Sequence, residues 1–214
     1  YNPKSLVPTT FEFTDIAGLV KGASVGEGLG NKFLSHIKEV DAIVEVVRCF
    51  DDANVIHVDG KVDPLSDIEV INAELAISDL EIVNNRLGKI EKKAIATKDK
   101  ASLAEVDLLK RIKTSLEQNI PVRKLEFTKD ELKMISSFSL ITQKPIIYVA
   151  NVKEADLNQP NKYVDAVIDY ALKEKSEVVT ICAQIESELS EMDSFDREEL
   201  LKELGIFESG LDQL

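Results

Sequence analysis

The pattern of apolar and polar positions divides the chain into stretches of two kinds. Phe11-Glu12-Phe13-Thr14 alternates with a period of two and predicts a short strand. Ala42-Ile43-Val44-Glu45-Val46-Val47, Pro145-Ile146-Ile147-Tyr148-Val149-Ala150 and the run Glu177 to Ile181 are compact apolar stretches of the buried-strand type. Phe33, Leu34, Ile37 and Val40 recur at helical spacing. Tyr163 to Lys173 is amphipathic, and Leu200 to Leu204 predicts a helix stopped by Gly205. The middle of the chain is different. Ala76, Leu80, Val83, Leu87, Ile90 and Ala94 repeat at alternating spacings of four and three, Thr97-Lys98-Asp99-Lys100 breaks the pattern, and Val106, Leu109, Ile112 and Leu116 form a second seam. So short a connection predicts an antiparallel coiled-coil hairpin, and Thr128 with Glu131 forms a capping-box pattern opening a further helix to about Phe138. The predicted class is therefore α/β. Residues 1–66 and 139–214 supply a mostly parallel sheet, and residues 67–138 form a helical insert.

Composition narrows the classes of function. With 214 residues and 44% hydrophobic content, the chain is long enough for a sizeable core and reads as globular. A net charge of −13 disfavours wrapping nucleic acid through the overall field and leaves only a local basic patch for that purpose. Cys49 and Cys182 form neither a disulfide framework nor a metal-ligand spacing, which suits a reducing compartment. There is no basic n-region followed by an apolar h-region and no apolar run near 18 residues, so the expected location is cytoplasmic, with no membrane partner. The chain begins with Tyr1 rather than Met, which reads as a processed or truncated start.

The candidate chemistry lies where strands end. Asp15 follows the first predicted strand and opens a segment, Gly18 to Gly30, that holds five glycines. This is either an Asp-initiated turn or a phosphate-sensing loop at the C-terminal edge of a parallel sheet. In the second case Asp15 stands near a Mg²⁺ ion, and the Gly18 N–H approaches a γ-phosphate with no Cβ in the way. The turn-rich stretch Ala53 to Pro64 carries His57 among apolar neighbours. That residue either anchors an ordinary loop or, as a neutral imidazole, orients a water. His36, within the predicted helix Asn31 to Val40, reads as an ordinary helical histidine. The charged residues of the hairpin read as a solvated face or as a partner-binding surface.

Asp15-x-x-Gly18 and Asn151-x-x-Glu154, with the order of strands and helices, resemble the G domain of a translation-factor-class P-loop NTPase. More narrowly, DIAGLVKGAS followed by GEGLG, the VVRCF strand with NVIHVDGKVDP, and NVKE resemble the YchF, or Obg-like ATPase, family from about Val7 to Leu214. The resemblance implies Mg²⁺-dependent ATP hydrolysis and association with the ribosome. Related GTPases place Gln after D-x-x-G to orient the attacking water; here Leu19 stands there, and the resemblance assigns that task to His57. An N-K-x-D motif reads guanine through its Asp. With Val152 and Glu154 in place of Lys and Asp, the resemblance implies ATP over GTP, with the backbone beside Val152 contacting adenine. It also places Cys182, Ala183 and Gln184 in the last base-contacting loop. The family's G-x-x-x-x-G-K-[ST] motif is not among these residues, nor is its C-terminal TGS domain. The chain is thus expected to be a central fragment that binds nucleotide weakly and is itself inactive, with an open sheet edge that invites self-association. Two alternatives stand beside this reading: a non-catalytic helical module that binds a protein or the ribosome, and an Obg-type GTPase.

Overall fold

The structure is a computed structural model that describes residues 12–15, 37–52 and 61–213. Among the described residues three parallel strands form a sheet: β1 (Ile43–Arg48), β2 (Ile146–Asn151) and β3 (Glu177–Ile181), in the order β1-β2-β3. Ile43 pairs with Ile146 and Arg48 with Asn151, while Ile147 pairs with Glu177 and Asn151 with Ile181. The three C-terminal ends therefore reach one edge together. One face, carrying Val47, Ile146, Tyr148 and Ala150, packs against Ile68 of helix α1 (Pro64–Thr97) and against Val167 and Ala171 of α4 (Lys162–Glu174). The apolar run of β2 follows from its central place, since it has neighbours on both edges and is mostly buried.

The expected strand Phe11-Thr14 is not seen over Glu12 to Thr14, and Phe11 lies outside the described residues. Glu12 to Asp15 are exposed and form no strand, and Phe13 is 62% exposed. Alternation supplies a face to bury but not the partner strand whose hydrogen bonds define a strand, and no described residue pairs with this segment. Of the expected helix Asn31 to Val40, Ile37–Glu39 are helical, Val40 is not, and residues 31–36 lie outside the described residues.

The helical prediction holds closely. Helix α1 begins at Pro64, whose missing N–H is no loss at a helix start, and Asp63 caps it by accepting from the Ser66 N–H at 3.3 Å. It ends at Thr97, with Lys98 left-handed at φ 52°, and α2 (Lys100–Glu117) opens on Asp99, which accepts from the Ser102 N–H at 3.0 Å. The seam residues Val83, Leu87, Ala94, Val106, Leu109, Ile112 and Leu116 are all buried in one cluster that continues into Val122, Ile135, Phe138 and Leu140. The capping box is present at the start of α3 (Lys129–Ile135), which ends sooner than predicted and passes into a 3₁₀ turn at Ser136–Phe138. Beyond β3 come α5 (Ala183–Glu191), α6 (Ser194–Leu204), stopped by the left-handed Gly205, and α7 (Gly210–Gln213). Among the described residues no helix is long and apolar enough to cross a membrane.

Two buried carboxylates fasten the hairpin to the sheet. Asp79, wholly buried on α1, accepts from the Ile141 N–H at 2.9 Å, the Thr142 N–H at 2.8 Å and the Thr142 hydroxyl at 2.6 Å. The same hydroxyl accepts from the Val122 N–H at 3.3 Å. Glu174, at the end of α4, accepts from Arg123 at 2.8 Å and from the Tyr148 hydroxyl at 3.0 Å, and it pairs with Lys124 at 2.9 Å. Arg123 also reaches Asn72 of α1 at 3.1 Å. Burial pushes the Glu174 carboxyl up, but hydrogen bonds and charge from Arg123 and Lys124 outweigh it and hold the group below its ordinary range. On β1, Glu45 lies in the same row as Tyr148 and Val178, and its Oε2 has no hydrogen-bond partner among the described residues. Burial pushes its pKa up to about 8, against a pull from Arg123 and with a further push from Glu174 and Asp67.

These carboxylates give two tests. Asp79→Ala orphans two buried N–H groups and a hydroxyl, so urea unfolding is expected to show a loss of about 3 kcal/mol, with Asp79→Asn losing less. Glu45 holds its proton in the folded chain up to about pH 8, whereas the free carboxyl ionises near 4.5. Its contribution is therefore fully present below about pH 4.5 and drains away as pH rises towards 8, at up to about 1.4 kcal/mol per pH unit. Glu45→Gln is expected to gain stability relative to the parent chain as pH rises through that window, and identical pH profiles would refute the assignment.

Candidate nucleotide site

Parallel strands carry their ligand sites at their C-terminal edge, and here that edge gathers three segments: Cys49–Asp52 after β1, Asn151–Glu154 at the end of β2, and Ile181–Gln184 after β3. Backbone bonds lock them together. The Cys49 N–H donates to the Asn151 carbonyl at 2.8 Å, and the Val152 N–H donates to the Ile181 carbonyl at 2.8 Å. The Asn151 side chain then reaches sideways, its Oδ1 accepting from the Ala183 N–H at 3.0 Å at the start of α5. Two motifs far apart in sequence are thus clasped by one amide.

The sequence-predicted residues divide by what they present. Val152 is buried in the sheet core, and its backbone N–H is taken up by the Ile181 carbonyl. Cys182 is 4% exposed and stands at the N-cap position of α5, turned inward. Ala183, Gln184 and Glu154 are exposed. Asp15 is exposed as well. Gly18, Leu19 and His57 lie outside the described residues. Among the described residues no group of three His, Cys, Asp or Glu side chains is placed to hold a metal ion. A single carboxylate such as Asp15 fits Mg²⁺, which keeps most of its waters and takes few protein ligands when phosphates are present. Cys49 is fully buried, and burial pushes its thiol up to about 12, which removes it as nucleophile or metal ligand.

Several supporting residues escaped the sequence reading. Asn161 caps α4 through Oδ1, with the Tyr163 N–H at 2.9 Å, and its Nδ2 donates to the Cys49 carbonyl at 2.9 Å. Tyr163 bonds Asp51 at 3.0 Å, and Lys153 pairs with Asp52 at 3.3 Å. The Arg48 guanidinium lies 4.9 Å from the centre of the Phe50 ring. The Gly-to-helix start at Gly210 is also required: a Cβ there would stand 2.2 Å from Ile181 Cγ2, and its N–H donates to buried Glu186 at 2.7 Å. A cap signature announces Asn161, but nothing local announces its second bond.

The parallel sheet, the strand-end clasp and the helical hairpin define an α/β protein with a helical insert between its strands. No family model matches the chain. It is similar to the protein called ribosome-binding ATPase YchF in Bacillus subtilis (strain 168), 52% identical over 215 residues, covering 100% of this chain and 58% of that relative. It is also similar to that of Escherichia coli O157:H7, 47% identical over 212 residues, covering 99% of this chain and 58% of the relative. A solved structure of the Schizosaccharomyces pombe YchF GTPase matches with a TM-score of 0.79 at 37% identity, covering 92% of this chain and 54% of that one. The chain belongs to the YchF family and spans less than two thirds of the length of these relatives.

The clasp makes its own test. Asn151→Ala leaves the Ala183 N–H without its acceptor, and hydrogen exchange at that amide is expected to accelerate by about tenfold, the equivalent of one ordinary hydrogen bond. Unchanged protection would mean that α5 holds its start without Asn151.

Proposed function

We propose that this chain is the base-recognising and partner-presenting part of a ribosome-associated P-loop NTPase that hydrolyses ATP in the cytoplasm. In this reading residues 1–66 and 139–214 form part of a G domain, and residues 67–138 its helical insert. The observation that carries it is the Asn151 to Ala183 hydrogen bond, which joins the Asn-Val-Lys-Glu strand end to the Cys182-Ala183-Gln184 turn as one surface for a purine. On that surface the Val152 backbone and the Ala183–Gln184 turn meet the base. Glu154, exposed and one methylene longer than the Asp of guanine-reading motifs, is displaced from the position in which it would accept two guanine donors. The names of the relatives differ here, one an ATPase and the other a GTPase, so base preference is the point to measure.

For hydrolysis, Leu19 offers no hydrogen bond, so positioning of the attacking water is assigned to His57 and contact with the γ-phosphate to the Gly18 N–H. Asp15 would be the residue that helps hold Mg²⁺, which would neutralise phosphate charge. Open-edge pairing between copies remains part of this proposal.

The test uses the longer protein that carries these residues. His57→Ala is expected to lower ATP turnover by about 10²-fold with little change in KM, and unchanged turnover would remove His57 from the mechanism. In the same preparation ATP is expected to outcompete GTP, and a clear preference for GTP would overturn the reading of Asn151 to Glu154.

A further inference from the structure

Behind the loop Ile181–Gln184, whose Ala183 and Gln184 are exposed, stands a carboxylate that the Asn151 clasp does not use. Glu186 lies one turn into α5 and is 8% exposed. A carboxylate in the first turn of a helix is favoured by the helix dipole even in water, so the dipole gives no reason to bury it. Burial is costly unless donors replace the lost water, and here the start of α7 supplies them. The Glu186 Oε1 accepts from the Gly210 N–H at 2.7 Å and its Oε2 from the Leu211 N–H at 3.4 Å.

The same turn presses on the end of β3. A Cβ at Gly210 would stand 2.2 Å from Ile181 Cγ2 and 3.0 Å from Ile181 Cβ, so the backbone of residue 210 lies directly against that side chain. Ile181 is β-branched, stiff at χ1 and buried, and it cannot swing clear. Its carbonyl takes the Val152 N–H at 2.8 Å, while Glu186 donates its own N–H to the Cys182 carbonyl at 3.0 Å. Ser209 to Leu211 therefore braces both ends of the loop, through Ile181 on the strand side and Glu186 on the helix side. The brace is itself tied down: the buried Ser209 Oγ accepts from Arg197 of α6 at 3.0 Å and donates to Asp212 at 2.8 Å. Cys182, Ile185 and Leu189 also pack against Leu201 of α6, but apolar contact is non-directional, whereas the bonds to Glu186 fix how α5 is seated.

We propose that Glu186 and Gly210 are positioning residues for binding of the nucleotide base. They seat Ile181 and the first turn of α5 so that the Val152 backbone and the Ala183–Gln184 turn are presented to the purine together. Both are buried and act through the loop. The proposal rests on the base-recognising role given to that loop above. Magnitudes favour it: ordinary contact begins at 3.4 Å, so a Cβ at Gly210 demands about 1 Å of movement, twice the ~0.5 Å within which a binding constellation has to be held.

The test uses the longer protein that carries these residues and compares two ligands by calorimetric titration in the presence of Mg²⁺: ATP, and inorganic tripolyphosphate, which has the phosphates but no base. Gly210→Ala and Glu186→Ala are each expected to weaken ATP binding about tenfold or more and to leave tripolyphosphate binding unchanged. Glu186→Gln keeps a carbonyl oxygen for the Gly210 N–H and is expected to recover most of the ATP affinity. Retained tripolyphosphate binding reports a folded variant, so a general loss of stability does not produce this pattern. An equal loss for both ligands in the two alanine variants overturns the proposal, since the brace then props the domain as a whole. Asn151→Ala separates the brace from the reading beneath it. Loss of ATP affinity in Asn151→Ala with none in the brace variants overturns the brace alone, whereas unchanged ATP affinity in all three overturns both.

Discussion

The parallel pairing of β1 with β2 is the constraint from which the rest follows. Parallel neighbours cannot be joined by a tight turn, so residues 49–145 must leave the sheet at one end and return at the other. This chain uses that crossover to carry a long helical hairpin rather than a single covering helix. A structure so long would swing about its attachment unless its root were held, and the root is held by two carboxylates taken out of water. Asp79 satisfies three donors of the returning segment, and Glu174 gathers Arg123 and Lys124 from one 3₁₀ turn and Tyr148 from β2. Buried ionic groups of this kind add modest net stability but define one arrangement, because any other leaves charges or donors unpaired.

The same parallel register brings three strand ends to one edge, and the site is built there from short side-chain bridges. Asn151 links β2 to α5, Asn161 links α4 to the end of β1, and Lys153 and Tyr163 hold Asp52 and Asp51. Glu45 connects this edge to the hairpin root, since it sits on the strand that delivers Cys49 and faces the Arg123 network. The distribution of charge completes the arrangement. The acidic body and the basic tip are joined through the buried Asp79 and Glu174 contacts at the hairpin root.

Much of this was legible in the order of residues. The four-three spacing from Ala76 to Ala94, the break at Thr97 to Lys100, the capping box at Thr128 and the strands at Ile146 and Glu177 all depend on short-range periodicity, and the structure places them within a residue or two. Asn151-x-x-Glu154, a local pattern, stands at the end of β2, while Gly18 of Asp15-x-x-Gly18 lies outside the described residues. Over Glu12 to Thr14 the expected strand is absent, because alternation alone does not supply a partner edge and no described residue offers one.

What only the tertiary structure decided concerns residues whose role depends on a distant neighbour. Asp79, in a helix full of carboxylates, became the anchor because residues 141–142 return beneath it; Asn161 became a bridge because the end of β1 lies within reach; Cys182 turned inward because α5 starts there. By itself the sequence determined the elements, their order and the segregation of basic residues toward the hairpin turn, since each is a property of neighbouring positions. Which carboxylates are buried, which amides clasp the strand ends and which lysines stand free were decided by the chain's return upon itself, because burial and pairing are set by proximity in space.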